Sequence, residues 1–351
     1  MKKGNLLGLI YFIVHFFVEV CSFYVVTSYT QSEYVWVLML IYDFLAFVPQ
    51  GFFGFLRDRG IKINFALWGT VLTSLSLVMM IFSLNAFLIV ATVSVGNCLV
   101  HIHGAELTLR QSAGKMTPAA VFVAGGSFGL ITGKLLCTSG VPAAVVLGIN
   151  LLSFIPVIIG EKFNSGDGEE NLAKYNFATT KLNAAAVIAL AVFVVAVRSF
   201  MGYGIPTTWN KTVIQNIALY CFMGLGKALG GVLIDKIGIR KTSLISTIVA
   251  LPFLLFGADL MAVSLIGIMF FSMTMAVTLA LIVSRIQSRP GIAFGFTTIG
   301  LFLGFVPLFF VRIRSVFVNC VIITVLTVVC VIILTLICAK ENTEKHPGGQ
   351  Q

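Results

Sequence analysis

The chain has 351 residues, of which 58% are hydrophobic and 10% charged, with a formal net charge of +10. Soluble domains carry about 25% charged residues, so a mean hydropathy of +1.03 excludes a soluble enzyme, a secreted disulfide scaffold and a disordered chain. The composition is that of a polytopic membrane protein.

A helix needs about 20 apolar residues to cross a bilayer. Apolar runs fall at 5–29, 34–56, 63–83, 86–109, 116–137, 141–160, 182–202, 212–234, 242–258, 261–284, 291–311 and 315–339. These twelve candidate spans leave room for short loops and no sizeable soluble domain. Lys2 and Lys3 before the first run resemble the start of a signal peptide. No small-residue cleavage site follows and Glu19 interrupts the run, so a retained first helix is expected. His15, Glu19 and Ser22 share one face of that helix. In the second span Asp43 enters from the opposite side to a similar depth, at about 1.5 Å per residue. Ionisable groups inside a span need a reason to be there. Carboxyls in apolar surroundings, and imidazoles generally, titrate near neutral pH. Glu19, with His15 or Asp43, is therefore the candidate proton-coupling group; the alternative is a neutral hydrogen bond between helices.

The second span ends in Gly54-x-x-x-Asp58-Arg59-Gly60-Ile61-Lys62. In the fourth span Gly96, His103, Glu106 and Arg110 share one face, and Asn97, His101 and Thr108 another. Histidines two residues apart on a helix point to nearly opposite sides, so His101 and His103 cannot both hold one ion. Further zinc ligands are scarce and H-E-x-x-H is absent, so no metal site is expected. His101, beside Asn97, is expected to face a central cavity, and Glu106 to pair with Arg110. The fifth span carries Gly125, Gly126, Gly129 and Gly133, which suit close helix crossing. Gly129-x-x-x-Gly133-Lys134 is one residue short of a phosphate loop.

The hydrophilic stretch 161–181 divides the chain into 1–160 and 182–339, with a tail at 340–351. The seventh span carries Arg198, and the eighth a stripe of Asn216, Tyr220, Met223 and Lys227. Arg198 or Lys227 could snorkel to an interface; facing a cavity, either would attract an anionic group on a solute. The eighth span ends in Gly231-x-x-x-Asp235-Lys236-Ile237-Gly238-Ile239-Arg240-Lys241, its aspartate 177 positions after Asp58. Arg110 and Arg285, Gly125 and Gly300, and Gly129 and Gly304 are each 175 positions apart. A series in register marks a parallel duplication of a six-helix unit.

Basic residues crowd every second connection, from Lys2 and Lys3 through Arg57, Arg59 and Lys62 to Lys340 and Lys345. By the positive-inside rule this side, with both termini, is cytoplasmic. The charge is thus topological, and no nucleic-acid partner is expected. The seven cysteines all lie in spans without C-x-x-C spacing and read as packing residues.

The duplicated glycine-aspartate-basic loop resembles the signature of the major facilitator superfamily, and the resemblance covers the whole chain. The second copy is the closer match; the first lacks one residue between Arg59 and Gly60. The resemblance implies two pseudo-symmetric six-helix bundles that rock around a central cavity lined by spans 1, 4, 7 and 10. It also implies a cytoplasmic gate built from Gly54, Asp58, Arg59, Gly231, Asp235, Lys236, Gly238 and Arg240. Gly96-Asn97, His103-Gly104 and the stretch from Val121 to Gly129 are similar to the fosmidomycin-resistance type of efflux carrier. The arginine common in the fourth span and the proline common in the fifth are absent.

The expectation is an all-α, multi-pass protein of the cytoplasmic membrane, monomeric and without cofactor. It would act as a gradient-driven, proton-coupled transporter of a small organic solute, with efflux one direction, and not as an enzyme. A transporter-like sensor or scaffold without flux is the alternative.

Overall fold

The computed structural model describes residues 3–164, 174, 175, 177, 180, 182–311, 313 and 315–338. Most of the hydrophilic stretch 161–181, the tail 340–351, and Lys2, Lys340 and Lys345 lie outside the described residues. Those described form helices joined by short loops, without a strand. In chain order the helices are α1 (Lys3–Ser28), α2 (Val35–Asp58), α3 (Phe65–Ile81), α4 (Ala86–Arg110), α5 (Thr117–Thr138) and α6 (Ala143–Phe163). They continue as α7 (Ala184–Gly204), α8 (Val213–Ile237), α9 (Ile239–Phe256), α10 (Met261–Arg285), α11 (Pro290–Phe309) and α12 (Val316–Ile337). Eleven are long and apolar enough to cross a membrane; α3, with 17 residues, is shorter.

Local chemistry explains where the helices begin and end. Asn64, Asn85 and Asn183 each accept a backbone N–H of the first turn of α3, α4 and α7. Thr212 and Gln215 form a reciprocal capping box at α8. Pro118 and Pro290 occupy the first turns of α5 and α11, where a missing N–H costs nothing. Pro49 breaks α2, and the Gln50 side chain donates to the Ala46 carbonyl beside the break at 2.7 Å. α9 contains a π-helical turn over Ile245–Val249, after an α-helical start at Ile239–Leu244, and α10 is interrupted at Met273.

The two six-helix bundles repeat one packing plan. α1 packs on α5 and α4, and α4 on α2 and α3; likewise α7 packs on α11 and α10, and α10 on α8 and α9. Across the bundles α8 lies on α5, and α11 on α2 and α4. Large apolar side chains on the outer faces, such as Phe256 and Phe317 at 76% exposure, have no protein cover and suit a lipid surround. Trp36 is exposed in the same way, whereas Trp209 is buried. Nor does α12 lack its own match: like α6, it packs against the first helix of its bundle.

Candidate functional site

Three helices bring polar groups together inside the first bundle. Glu19 on α1 and His101 on α4 meet at 3.2 Å between Oε1 and Nε2. His15, one turn before Glu19, places its Nε2 3.5 Å from the same oxygen. The Asn97 amide donates to Glu19 Oε1 at 3.1 Å, with the Ser22 hydroxyl at 3.0 Å and the Tyr42 hydroxyl at 3.3 Å. All of these side chains are buried. Glycines permit the approach: a Cβ at Gly126 would meet the His15 ring, and one at Gly129 would meet Glu19 Cβ at 2.7 Å.

Both imidazoles have a fixed proton. His15 Nδ1 lies 2.9 Å from the Phe122 carbonyl, and His101 Nδ1 lies 2.9 Å from the Asn97 carbonyl. A carbonyl oxygen only accepts, so each Nδ1 carries hydrogen and donates. In a neutral ring, each Nε2 then presents a lone pair to Glu19 Oε1. Lone pairs on all three atoms repel unless a proton lies among them, on the carboxyl or on one ring. Glu19 Oε2 is buried without a hydrogen-bond partner.

Among the described residues, His15, Glu19 and His101 are also the group whose ligand atoms could bracket a small ion, all within 4.8 Å of one another. This combination lay outside the sequence expectation, which weighed only His101 with His103. The donor set favours a proton: the Asn97 amide already points its hydrogen at the shared oxygen, and Lys227 places a positive charge opposite. His103 faces away, as its spacing requires, with Nε2 3.5 Å from Glu161 and its ring 5.7 Å from that of Tyr11.

Lys227 on α8 lines a narrow cavity between the bundles. Its walls include Met116 and Val123 from the first bundle, and Met275, Leu279, Phe294 and Thr297 from the second. The position is ten residues from the Ile237 end of α8, or about 15 Å, beyond the reach of a snorkelling ammonium. Lys227 makes no hydrogen bond or ion pair among the described residues, yet its charge acts on Glu19, His15 and His101. Tyr220, on the same helix, is partly buried near Tyr203.

Two sequence candidates lie elsewhere. Asp43 has no hydrogen bond to Glu19; the neighbouring Tyr42 joins the cluster instead, and the charge of Asp43 acts on Tyr203. Arg198 is neither in the cavity nor at an interface. It is buried in the second bundle, donating to the Ser246 carbonyl at 3.0 Å and the Phe271 carbonyl at 2.6 Å, over the Phe271 ring. Ser246 lies in the π-helical turn of α9, and Phe271 just before the interruption of α10. Arg198 therefore covers carbonyls beside two helix irregularities. Arg198→Met is expected to remove about 2–3 kcal/mol of stability, the value of its two charged hydrogen bonds and the carbonyls they leave bare, less the cost of burying the ion. A thermal unfolding midpoint lowered by several degrees with unchanged solute affinity would meet this; a selective loss of anion affinity would contradict it.

The duplicated loops meet the opposite bundle. Asp58 accepts the Gly291 and Ile292 N–H groups at 2.9 and 2.7 Å, at the start of α11. Asp235 accepts the Met116 and Thr117 N–H groups at 2.8 and 2.9 Å, and the Thr117 hydroxyl at 2.5 Å, at the start of α5. Each aspartate thus caps the fifth helix of the other bundle, where the helix dipole favours negative charge. Beside them, Gly54 abuts the Gly291 backbone and Gly231 abuts Met116 and Ala120. Gly60 and Gly238 end the two loops at φ of 81° and 86°, the left-handed region that glycine tolerates best.

The basic residues of the two loops do not pair with the aspartates among the described ion pairs. Arg59 stacks on Phe55 at 4.3 Å, Lys236 is exposed, and Arg240 is partly buried near Cys338. Arg57, read from the sequence only as topological charge, pairs with Glu106 at 2.8 Å, and Arg110 holds the other oxygen of Glu106. Tyr175, from the stretch between the bundles, was also missed. Its hydroxyl donates to the Leu109 carbonyl at 2.7 Å and its own carbonyl accepts from Gln287 at 2.8 Å, so it joins the ends of α4 and α10. Burial pushes its phenol above the ordinary tyrosine range.

No protein-family profile and no curated protein sequence matches the chain. Its fold does match solved structures. The fucose:proton symporter FucP of E. coli aligns with a TM-score of 0.62 at 14% identity, over 97% of this chain and 100% of that one. A structure of FucP, a major facilitator superfamily transporter, in the outward conformation aligns with a TM-score of 0.61 at 14% identity and the same coverage. The chain has the all-helical fold of major facilitator transporters.

Proposed function

From this fold we propose that the chain is a secondary transporter of the cytoplasmic membrane, moving a small organic solute by alternating access with protons as the coupling ion. Residues 1–160 and 182–339 are its two moving halves, joined by 161–181, and both termini are cytoplasmic by the placement of basic residues. One chain holds the whole pathway and works as a monomer. The engaged caps of Asp58 and Asp235 then make this a conformation closed to the cytoplasm.

The observation that carries proton coupling is the set of lone pairs converging on Glu19 Oε1, with both Nδ1 protons fixed by carbonyls. Such a cluster needs a proton while it stays assembled. Parting of the bundles can expose it to one aqueous side and then the other. The cavity beside Lys227 is narrow, so a solute enters only as the halves separate.

The test is the purified protein in liposomes containing a trapped pH dye, challenged with a broad set of metabolites and antimicrobials. Solute-dependent proton movement is expected, and its loss in Glu19→Gln. Solute flux without proton movement would remove the coupling. Tight solute binding with no flux would favour a sensor or scaffold.

A further inference from the structure

Resting on the transport reading above, we infer that the solute is a small organic anion, a carboxylate on an apolar body, which Lys227 binds while Glu19 and His101 hold one proton. The charge count carries this assignment. Lys227 is a cation inside the membrane region, in a cavity whose lining offers one polar neighbour, the Thr297 hydroxyl. It has no ion pair among the described residues, and an unpaired cation in such a setting is costly. The cluster opposite, as assembled, needs its own proton, so Glu19 with that proton supplies no counter-charge. The cavity is left one negative charge short.

The solute can supply that charge. Met116, Val123, Met275, Leu279 and Phe294 would cover an apolar body, and the ammonium would take its carboxylate. A second cationic group on the solute would find no carboxylate in the lining. When Glu19 releases its proton, its own charge balances Lys227 and the anion loses its partner. Proton and anion therefore favour one another's binding, and linkage makes the effect reciprocal. One anion then moves with one proton, and the transported pair has no net charge.

The groups that face Glu19 are few. They are His15 and Cys21 on α1, Tyr42 on α2, Asn97 and His101 on α4, and Lys227 on α8, with Asp43 behind Tyr42. The neighbouring part of α5 presents glycines. Lys227 is the one lysine or arginine among them.

The experiment is titration calorimetry of the full chain in detergent, with benzoate, benzamide and benzylamine as three probes of one size. Each is measured from pH 5 to 8 in two buffers of different ionisation enthalpy. Benzoate alone is expected to bind. Its affinity should be level on the acid side and fall about tenfold per pH unit on the alkaline side, with one proton taken up per benzoate there. Glu19→Gln should make binding independent of pH, and Lys227→Gln should abolish it. Lys227→Arg should restore it, with thermal unfolding confirming that each variant is folded. Equal binding of benzamide, benzoate binding that survives Lys227→Gln, or absence of benzoate binding to the folded wild type would each overturn the assignment. Proton-linked benzoate binding without flux in liposomes removes the transport reading and leaves the site. Proton-driven flux of other solutes without benzoate binding does the reverse.

Discussion

Glu19→Gln is expected to abolish solute accumulation driven by a pH gradient while leaving exchange of solute for solute intact. In the wild type, a gradient of one pH unit stores about 1.4 kcal/mol per proton and supports up to about tenfold accumulation at one proton per solute. Glutamine keeps the size of the side chain, and its oxygen can still accept from Asn97, which is 3.1 Å from Oε1 in the native protein. Asn97 and His101 both meet Oε1, so with the glutamine oxygen at that position the Asn97 bond is kept and holds the cluster together, while the donation to His101 Nε2 that a protonated carboxyl makes is lost. What glutamine cannot do is release the proton. Liposomes loaded with labelled solute should therefore exchange at a rate within a few-fold of wild type, with accumulation falling to about onefold. Accumulation unchanged from wild type would remove Glu19 from the coupling; loss of exchange as well would make the residue structural.

The second large effect is expected at Gly54. A Cβ there would meet the Gly291 carbonyl and approach the Ile292 amide nitrogen to 3.0 Å. These are main-chain atoms of α11, and no rotamer change relieves the contact. Gly54→Val should hold the two bundles apart at the Asp58 end. Overpacking of about 3 kcal/mol shifts an equilibrium between open and closed states by about two orders of magnitude. Transport should fall by tenfold or more with the thermal midpoint little changed, because each bundle keeps its own core. Gly148→Ala is the matched control: nothing lies within 4 Å of a Cβ at that position, and its transport should equal wild type. Normal transport by Gly54→Val would show that this contact is not part of the working cycle.

Much of the architecture could be read along the chain, because lipid leaves little freedom. Every span must be apolar, every loop short, and a duplicated unit repeats its punctuation at a fixed offset. The short α3 and the breaks in α2, α9 and α10 were not legible in the same way. Pro49 marks the first of these breaks, but the interruption at Met273 has no such residue.

The candidate site was legible only within single helices. His15, Glu19 and Ser22 share a face by simple periodicity, and the divergence of His101 and His103 follows from the same geometry. That α4 would bring Asn97 and His101 onto that face, and that α2 would offer Tyr42 instead of Asp43, depends on helix phase between neighbours. One residue is about 100° of rotation. The same limit explains Arg57 and Arg59: the first reaches across to Glu106 on α4, and the second lies past the end of α2 on Phe55. Arg198 was misplaced because a buried cation can be needed by irregular backbone, and sequence does not announce a π-helical turn.

The paired aspartate caps have a consequence for how this gate tolerates change. Five hydrogen bonds join Asp58 and Asp235 to the opposite bundle, and four come from main-chain N–H groups. Such donors survive nearly any side-chain replacement at Met116, Gly291 or Ile292 that leaves the helix start in place. The receptor half of each contact is thus almost immune to point substitution, except by proline or by bulk at the glycines. Loss-of-gating variants recovered from random mutagenesis should accumulate on the aspartates and on Gly54 and Gly231, and second-site suppressors should rarely arise on the helix starts that the aspartates hold.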